Sequence, residues 1–437
     1  MAQVANPEAS AWLRPFTRPY LLLGVTFLLI LAFPMFLRQP QDWECVIVPA
    51  GARLSQGGDI FQSEYVYPPI LAWLALPFVD LPRLPTRGLW YVVNMMALAI
   101  LVIGAWRVSG GGRLDGSPRV PWREHGIFWL GLGCGISSSL DSLTNQQTDI
   151  IIGALVILGC LALVRAQSLQ AAVWFGVAAA FKCTPLLFAP YLAWKRQWAA
   201  AALVVVVAVG VNLLPELTHP RQNSPTRIEE WGRRYLAPMA DRKHDFGSWA
   251  CGVGGNQSMA GLTQRWLVYD PVWVGTDLIG VESAARVTPE TLKAVNWGAM
   301  FLFLAGGLIC MWKTAAATAP PGAASPTAGI ELGMVLLLMV LLSPHTSKPH
   351  FCTLFLPGFC VARAALNWPN RRLLILALAA LACVLANNND LVGSWLYSWT
   401  KWHATPAWCA AILYIGSCRA LLGNRAVAEV ANLPLAA

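Results

Sequence analysis

Side chains able to exchange protons or hold a ligand are concentrated in a few polar stretches of an otherwise apolar chain. The first two stretches carry carboxylates, amides and a phenol: Asp42, Glu44, Asp59 and Tyr67 in one, and Asn145 and Gln146 in the other. A carboxylate can take a proton from a hydroxyl group, and an amide can orient a ligand by hydrogen bonds. These residue types could therefore form a catalytic or a binding site.

Three later segments add basic and amide side chains. Lys182 lies at a bend marked by Pro185, and the other candidates are Asn256, Gln257 and Arg265 in the long stretch 215–290, and His345 and His350 between two apolar runs. Cations and hydrogen-bond donors of this kind can stabilise a negative charge. The two histidines do not have the spacing of a helical metal-binding pair, so no metal site is predicted.

Each candidate also has a purely structural explanation. Asp42 and Glu44 could be solvated loop residues, and Lys182 could extend from a helix end toward the membrane surface. The tripeptide 256–258 fits a glycosylation sequence, but such tripeptides often occur by chance. Four tryptophans are most simply members of an interfacial aromatic belt: Trp43, Trp395, Trp399 and Trp402.

The composition shows which kind of structure must position these residues. Hydrophobic residues make up 56% of the chain and charged residues only 12%, and the mean hydropathy is +0.52. Such a chain lacks the polar surface of a soluble domain. Its apolar runs of roughly 15 to 22 residues match the hydrocarbon thickness of a bilayer. The sequence therefore predicts an all-α polytopic membrane protein, with residues 1–437 forming a single integral membrane unit.

Charge and cysteine content favour neither nucleic acid nor a metal as a partner. The formal net charge is +9, but most Lys and Arg residues lie in short clusters between apolar runs, as the positive-inside rule expects. The eleven cysteines are scattered and form no CxxC pair. A disulfide between Cys45 and Cys251 is left open.

The basic clusters also predict the topology. Arg14 and Arg18 keep the N-terminus in the cytoplasm, ahead of an uncleaved first span over 20–37. The run 68–79 is too short to cross, and 171–194 forms a hairpin with Lys182 at its outer bend. About twelve spans follow from this pattern. The polar stretches 38–87 and 215–290 then lie on the extracytoplasmic face of the plasma membrane, where the candidate residues collect.

The order of these pieces resembles glycosyltransferase family 87, the polyprenyl-phosphate-mannose-dependent mannosyltransferases of the GT-C fold. The matching pieces are Asp42-Trp43, Gly57-Gly58-Asp59-Ile60-Phe61, Tyr65-Val66-Tyr67-Pro68-Pro69, Phe181-Lys182-Cys183-Thr184-Pro185, Gly255-Asn256-Gln257-Ser258, and Leu342-Ser343-Pro344 through His350. The chain departs from the family pattern at three places. Asn145-Gln146 stands for the usual Gly-Gln, Pro349 stands for a histidine, and Cys45-Val46 stands for Val-Tyr.

The resemblance implies an activity and a role for several residues. It implies inverting transfer of a hexose from a polyprenyl-phosphate sugar donor to a glycolipid or glycan acceptor at the bilayer surface. Mannose is the sugar that the resemblance favours. Asp42 matches the catalytic aspartate of the family and is the predicted base. Lys182 and His350, with Arg265 behind them, are predicted to stabilise the departing lipid phosphate. The mechanism requires no cofactor and no metal, because the leaving group is a phosphate already attached to its lipid.

Two other classes of function remain open from the sequence. A transporter or flippase for a lipid-linked or anionic solute could use the same one-sided polar cluster as its binding site. Such a protein would be expected to carry ionisable residues near the bilayer midplane and broken helices in both halves. A membrane assembly factor without catalysis would leave Asp42 replaceable.

Overall fold

The structure is a computed structural model, and it describes most of the chain. The described residues are 24, 26, 36–39, 41–62, 64–112, 114, 122–221, 225–237, 251–312, 326–367 and 370–431. Three predicted features lie wholly or mostly outside these residues. They are the N-terminal arginines Arg14 and Arg18, most of the first span 20–37, and the low-complexity linker 314–327.

The described residues form a helical protein with one small β-hairpin. The first half contains α1 (Val48–Ser55), α2 (Pro69–Leu74), α3 (Arg83–Val108), α4 (Trp122–Thr144), α5 (Asp149–Val164), α6 (Ser168–Phe181), α7 (Phe188–Trp194), α8 (Trp198–Thr218) and α9 (Arg227–Trp231). Short π and 3₁₀ segments extend these helices: Trp43–Ile47, Leu76–Phe78, Thr184–Leu187 and Gly232–Leu236.

The second half contains the β-hairpin and the remaining long helices. The elements are the 3₁₀ segment Cys251–Val253, α10 (Met259–Val268), β1 (Tyr269–Val274), β2 (Asp277–Glu282), α11 (Pro289–Trp312), α12 (Pro326–Leu341), the 3₁₀ segment Lys348–Leu354, α13 (Phe355–Asn367), α14 (Arg371–Ala386), α15 (Asn389–Trp402) and α16 (Thr405–Ala431). The two strands are antiparallel, and Tyr269 pairs with Glu282.

Several helices are long and apolar enough to cross a bilayer. Five pass that test within the described residues: Arg83–Val108, Trp198–Thr218, Pro289–Trp312, Lys348–Asn367 and Thr405–Gly423. The pair α14 and α15, bent by 90°, would make a sixth. Four shorter apolar helices cover Pro69–Phe78, Asp149–Val164, Ser168–Phe181 and Thr327–Leu341. The predicted all-α polytopic membrane fold is confirmed, and the count of about twelve spans stays a prediction.

The helices pack against each other through small residues and aromatic rings. Gly131 of α4 lies against Phe359 of α13, and a Cβ atom added at this glycine would come within 2.1 Å of that ring. Only glycine allows this approach, which brings α4 next to α13. As a result, the 3₁₀ segment that precedes α13, which carries His350, also packs against α4.

The first polar stretch is folded, contrary to its treatment as a loop. Residues 43–55 are helical. Trp43, at the start of this stretch, is buried, with 3% of its surface exposed. Its indole stacks on Trp90 of α3 at 4.1 Å between ring centroids. The belt prediction is therefore wrong for Trp43, and also for Trp402, which is buried, whereas Trp395 and Trp399 are exposed. Apolar burial of that size anchors the segment that begins at Asp42.

Two smaller expectations can be compared with the structure. Helix α6 ends at Phe181, and Lys182 has an extended backbone, so the helix is interrupted where the sequence places the tip of a hairpin. The hairpin itself stays a prediction. Cys45 is an exposed thiol and Cys251 a buried one. No disulfide joins them.

Candidate active site

Asp42 lies directly before the π-helical segment Trp43–Ile47, with one carboxylate oxygen occupied and one open. Its Oδ2 accepts hydrogen bonds from the Tyr67 hydroxyl at 2.8 Å and from Nε2 of Gln147 at 3.0 Å. Among the described residues, Oδ1 has no hydrogen-bond partner. The carboxylate is therefore held in one orientation while its second oxygen remains available.

The Tyr67 phenol is fixed as a hydrogen-bond donor. Burial raises its pKa well above the ordinary tyrosine value, and the negative charges of Asp42 and Asp149 raise it further. The ring also contacts Tyr65, whose hydroxyl donates to the Pro68 carbonyl at 2.6 Å. Tyr67 therefore keeps its proton, and it feels the charge of two carboxylates that come from distant parts of the sequence.

Glu44 is part of an ion-pair network behind Asp42. Its carboxylate accepts a hydrogen bond at 2.8 Å from the buried guanidinium of Arg87, and it also pairs with Arg83 at 3.1 Å. The amide of Gln146 donates to the same carboxylate at 2.6 Å and accepts from the backbone N–H of Gln41 at 3.2 Å. Glu44 and Gln146 thus fasten the Asp42 segment to α3 and to the turn before α5.

This network predicts a loss of stability in acid. Burial alone would raise the pKa of Glu44, but the hydrogen bonds from Arg87 and Gln146 outweigh it and leave the pKa below its ordinary value. The contribution of Glu44 is therefore present above the unfolded-state pKa and is lost as the pH falls through the folded-state pKa. We expect Glu44→Gln to cost about 2 kcal/mol at neutral pH. Thermal unfolding in detergent should show the gap from wild type narrowing toward pH 3, and a gap independent of pH would contradict this role.

The turn before α5 supplies Gln147, which the sequence did not single out. Asn145 accepts a hydrogen bond from the Asp42 backbone N–H at 3.3 Å and donates to Asp141 at 3.1 Å. Gln146 has a φ of 53°, a conformation that glycine adopts easily. The glycine-like backbone of Gln146 turns Gln147 toward Asp42.

Lys182 and His350 meet at a third carboxylate, that of the buried residue Asp149. The Lys182 ammonium donates to Asp149 Oδ1 at 2.8 Å, and Nδ1 of His350 lies 3.9 Å from the same oxygen. Nδ1 of His350 also contacts the Ser347 hydroxyl at 2.9 Å. Asp149 begins α5, two residues after Gln147, so the Lys182 group adjoins the Asp42 group.

A small cavity borders the Lys182 group. Its volume is about 20 Å³, and it is lined by Asp149, Ile152, Lys182, Thr184, Met339, Val340, Thr346, His350 and Thr353. Ile152, Met339 and Val340 supply its apolar lining, and its polar groups are an ammonium paired with the Asp149 carboxylate, an imidazole and threonine hydroxyls. Cationic and hydroxyl donors around one small space are suited to an anionic oxygen.

Asn256 and Gln257 hold the chain segment that forms one wall of this cavity. Oδ1 of Asn256 accepts from the Thr346 backbone N–H at 3.2 Å, and its amide donates to the Pro344 carbonyl at 2.9 Å. The backbone N–H of Gln257 donates to the Thr346 carbonyl at 2.5 Å. Both residues act on the backbone around Thr346 in the structure. His345 lies in the same segment, where its carbonyl accepts from the Ser343 hydroxyl at 2.8 Å.

Arg265 and Asp59 occupy other surroundings. Arg265 is fully buried and donates to the carbonyls of Trp402 and Asn256, both at 2.6 Å, and burial lowers its pKa to about 10. Asp59 pairs with Arg234 at 3.2 Å and with Arg221 at 3.7 Å, beside an open cleft of about 730 Å³. The structure therefore joins Asp42 to Tyr67, and it joins Lys182 to His350 through Asp149, whose charge also acts on Tyr67. It places Arg265 and Asp59 in other groups.

The described part of the chain contains no cluster of three or more His, Cys, Asp or Glu side chains able to hold a metal ion. The polar groups that converge are instead an oriented carboxylate, an ammonium, an imidazole and hydroxyls. On an all-α membrane fold, this set has the elements needed to activate a hydroxyl and to neutralise an anion.

Comparison with known proteins agrees with that chemistry. The model of glycosyltransferase family 87 matches residues 65–344, more than half of the chain. The protein belongs to this family.

Two similar proteins show how far the likeness extends. A polyprenol-phosphate-mannose-dependent alpha-(1-2)-phosphatidylinositol pentamannoside mannosyltransferase of Mycobacterium tuberculosis (strain CDC 1551 / Oshkosh) is 30% identical over 239 residues, which are 54% of this chain and 50% of that protein. The chain thus matches about half the length of this relative. The crystal structure of ArnT from Cupriavidus metallidurans bound to undecaprenyl phosphate has a TM-score of 0.36 and 16% sequence identity, and the match covers 94% of this chain and 78% of that one.

Proposed function

We propose that the protein is an integral membrane glycosyltransferase that transfers mannose from a polyprenyl-phosphate donor to a glycolipid or glycan acceptor, with inversion. Membership of family 87 and the donor named for the mycobacterial relative support this proposal. The observation that carries it is the open oxygen of Asp42 in a group that adjoins the Lys182 cavity. That pairing gives a base for the acceptor and a cation for the leaving group.

Oδ1 of Asp42 is the proposed base. Two neutral donors, Tyr67 and Gln147, both hold Oδ2, so Oδ1 can face the acceptor hydroxyl without competing partners among the described residues. The acceptor oxygen attacks the anomeric carbon while its proton passes to Oδ1. A carboxylate can act in this way when proton transfer is concerted with attack.

Lys182 and His350 are proposed to stabilise the departing polyprenyl phosphate. As the bond between sugar and phosphate breaks, the phosphodiester becomes a monoester and gains negative charge. The Lys182 side chain is 24% exposed, so its ammonium meets that charge in a partly dry site. Fixed cations placed where charge develops are among the largest contributions to catalysis.

Inversion requires the base and the leaving group on opposite faces of the sugar. A β-linked donor would then give an α-linked product, the linkage type in the name of the mycobacterial relative. Glu44, Asn256, Gln257 and Arg265 have supporting roles in this proposal, because their contacts go to the chain itself. Alignment of this kind supplies much of the rate in transfer reactions.

The site is proposed to face the extracytoplasmic side of the plasma membrane. The apolar segment Lys348–Asn367 carries His350 near one end and Arg363 near the other, separated by about 20 Å of helix. Arg363 pairs with Glu124 at 2.9 Å at the end that the positive-inside rule assigns to the cytoplasm. The catalytic group lies at the opposite end.

A transfer assay tests the proposed function. Membranes containing the protein are supplied with radiolabelled β-linked polyprenyl-phosphate mannose, and labelled glycolipids are compared with those of membranes lacking the protein. We expect new labelled product only with the protein, with an α-linkage by NMR. Nucleotide-sugar donors should give none. Label that crosses the bilayer without entering a new glycosidic bond would instead indicate a flippase.

A further inference from the structure

We propose that Thr346 is a ligand of the donor phosphate, donating its hydroxyl to a phosphate oxygen in the cavity beside Lys182 and His350. This inference rests on the proposed function and adds a binding residue to that site. Thr346 lies in the segment between α12 and α13, four residues before His350.

The first support is the condition of the Thr346 side chain. The residue is fully buried, and its Oγ1 has no hydrogen-bond partner among the described residues. A buried hydroxyl left unpaired costs free energy, because it loses its bonds to water. That cost is removed when a ligand provides an acceptor.

The second support is the position of Thr346 in the wall of the cavity. Thr346 lines the same cavity as Lys182 and His350, and the cavity has room for about one oxygen-sized group. Of the described residues, Asp149 is the one hydrogen-bond partner of the Lys182 ammonium. The ammonium therefore has donors left for a ligand. A phosphate oxygen placed here would meet an ammonium and a hydroxyl together.

The third support is the rigidity of the Thr346 backbone. Its N–H donates to Oδ1 of Asn256 at 3.2 Å, and its carbonyl accepts from the Gln257 N–H at 2.5 Å. With both backbone groups occupied, the backbone that carries the side chain is held in place before a ligand arrives. A preorganised donor loses little entropy on binding. In this arrangement, the role of the Asn-Gln-Ser element is to hold the Thr346 backbone in the site.

The test uses Thr346→Val, which keeps the shape and removes the hydroxyl. Its donor kcat/KM should fall by about tenfold or more, as for loss of a hydrogen bond to a charged group. The inhibition constant of undecaprenyl phosphate, used as the probe, should rise in parallel. Melting temperature should stay equal to wild type or increase, because an unpaired buried hydroxyl has been replaced by a methyl group. Thr346→Ser should recover most of the activity.

Thr405→Val is the matched control. Thr405 is also buried with an unpartnered Oγ1, but it lies at the start of α16. Its variant should match wild type in donor kcat/KM. Unchanged kinetics in Thr346→Val would overturn the inference while leaving the proposed function intact, and so would a joint loss of stability and activity that Thr346→Ser does not restore. Wild-type protein that transfers no mannose from the polyprenyl-phosphate donor would refute the proposed function itself.

Discussion

Asp42→Asn is expected to reduce mannose transfer by a factor of about 10² to 10⁴ while leaving the fold intact. The amide oxygen can take the place of Oδ2 and accept from both Tyr67 and Gln147, which hold that atom in the wild type. The amide nitrogen then occupies the Oδ1 position, where it cannot take a proton. Initial rates with labelled donor, together with melting curves of the purified variant, measure the two expectations separately.

Two further variants make the Asp42 experiment specific. Tyr67→Phe removes one of the two hydrogen bonds that orient the carboxylate and keeps the base, so its rate should fall between those of wild type and Asp42→Asn. Asp277→Asn is the control, because Asp277 likewise accepts a hydrogen bond, from Ser398 at 3.3 Å, but lies in the β-hairpin. Its transfer rate should equal that of wild type. Full activity of Asp42→Asn would remove Asp42 from the mechanism.

The sequence could identify residues whose local setting is unusual. Asp42 and Lys182 stand out because a carboxylate begins a polar stretch and a lysine interrupts an apolar run beside a proline. Both positions are visible within a window of a few residues. The membrane class follows from composition in the same way, because hydrophobicity needs no knowledge of which helices touch.

The sequence could not identify residues whose role depends on a distant partner. Gln147 donates a hydrogen bond to Asp42 across 105 positions of the chain. From the sequence alone, the neighbouring amides Asn145 and Gln146 are equally suitable as ligand-binding residues. Thr346 is ordinary in sequence, and only burial with an unpartnered hydroxyl distinguishes it. The same reason explains Trp43, since nothing near it in sequence predicts that it stacks on Trp90. Long-range packing decides these cases.

Substitution of Lys182 is expected to cause the second large loss of transfer activity. That loss must be distinguished from a loss of stability. Lys182→Gln alone leaves Asp149 as a buried carboxylate without its ammonium partner, which is destabilising in itself. The double variant Lys182→Gln with Asp149→Asn removes both charges and allows amide hydrogen bonding between the two side chains. We expect this double variant to fold and to lose transfer by a factor of about 10² to 10³, because the departing phosphate no longer meets a cation.

A second lysine–carboxylate pair in the protein provides the control for that loss. Lys195 pairs with Glu331 at 2.7 Å, and its side chains are 23% and 7% exposed, against 24% and 7% for Lys182 and Asp149. Lys195→Gln with Glu331→Gln therefore imposes the same charge removal at equal burial, away from the cavity. We expect it to change melting temperature to a similar degree and to leave donor kcat/KM unchanged. Equal losses of transfer in the two double variants would mean that Lys182 supports only the fold. A loss confined to the Lys182 pair would mean that the charge of Lys182 stabilises the departing phosphate.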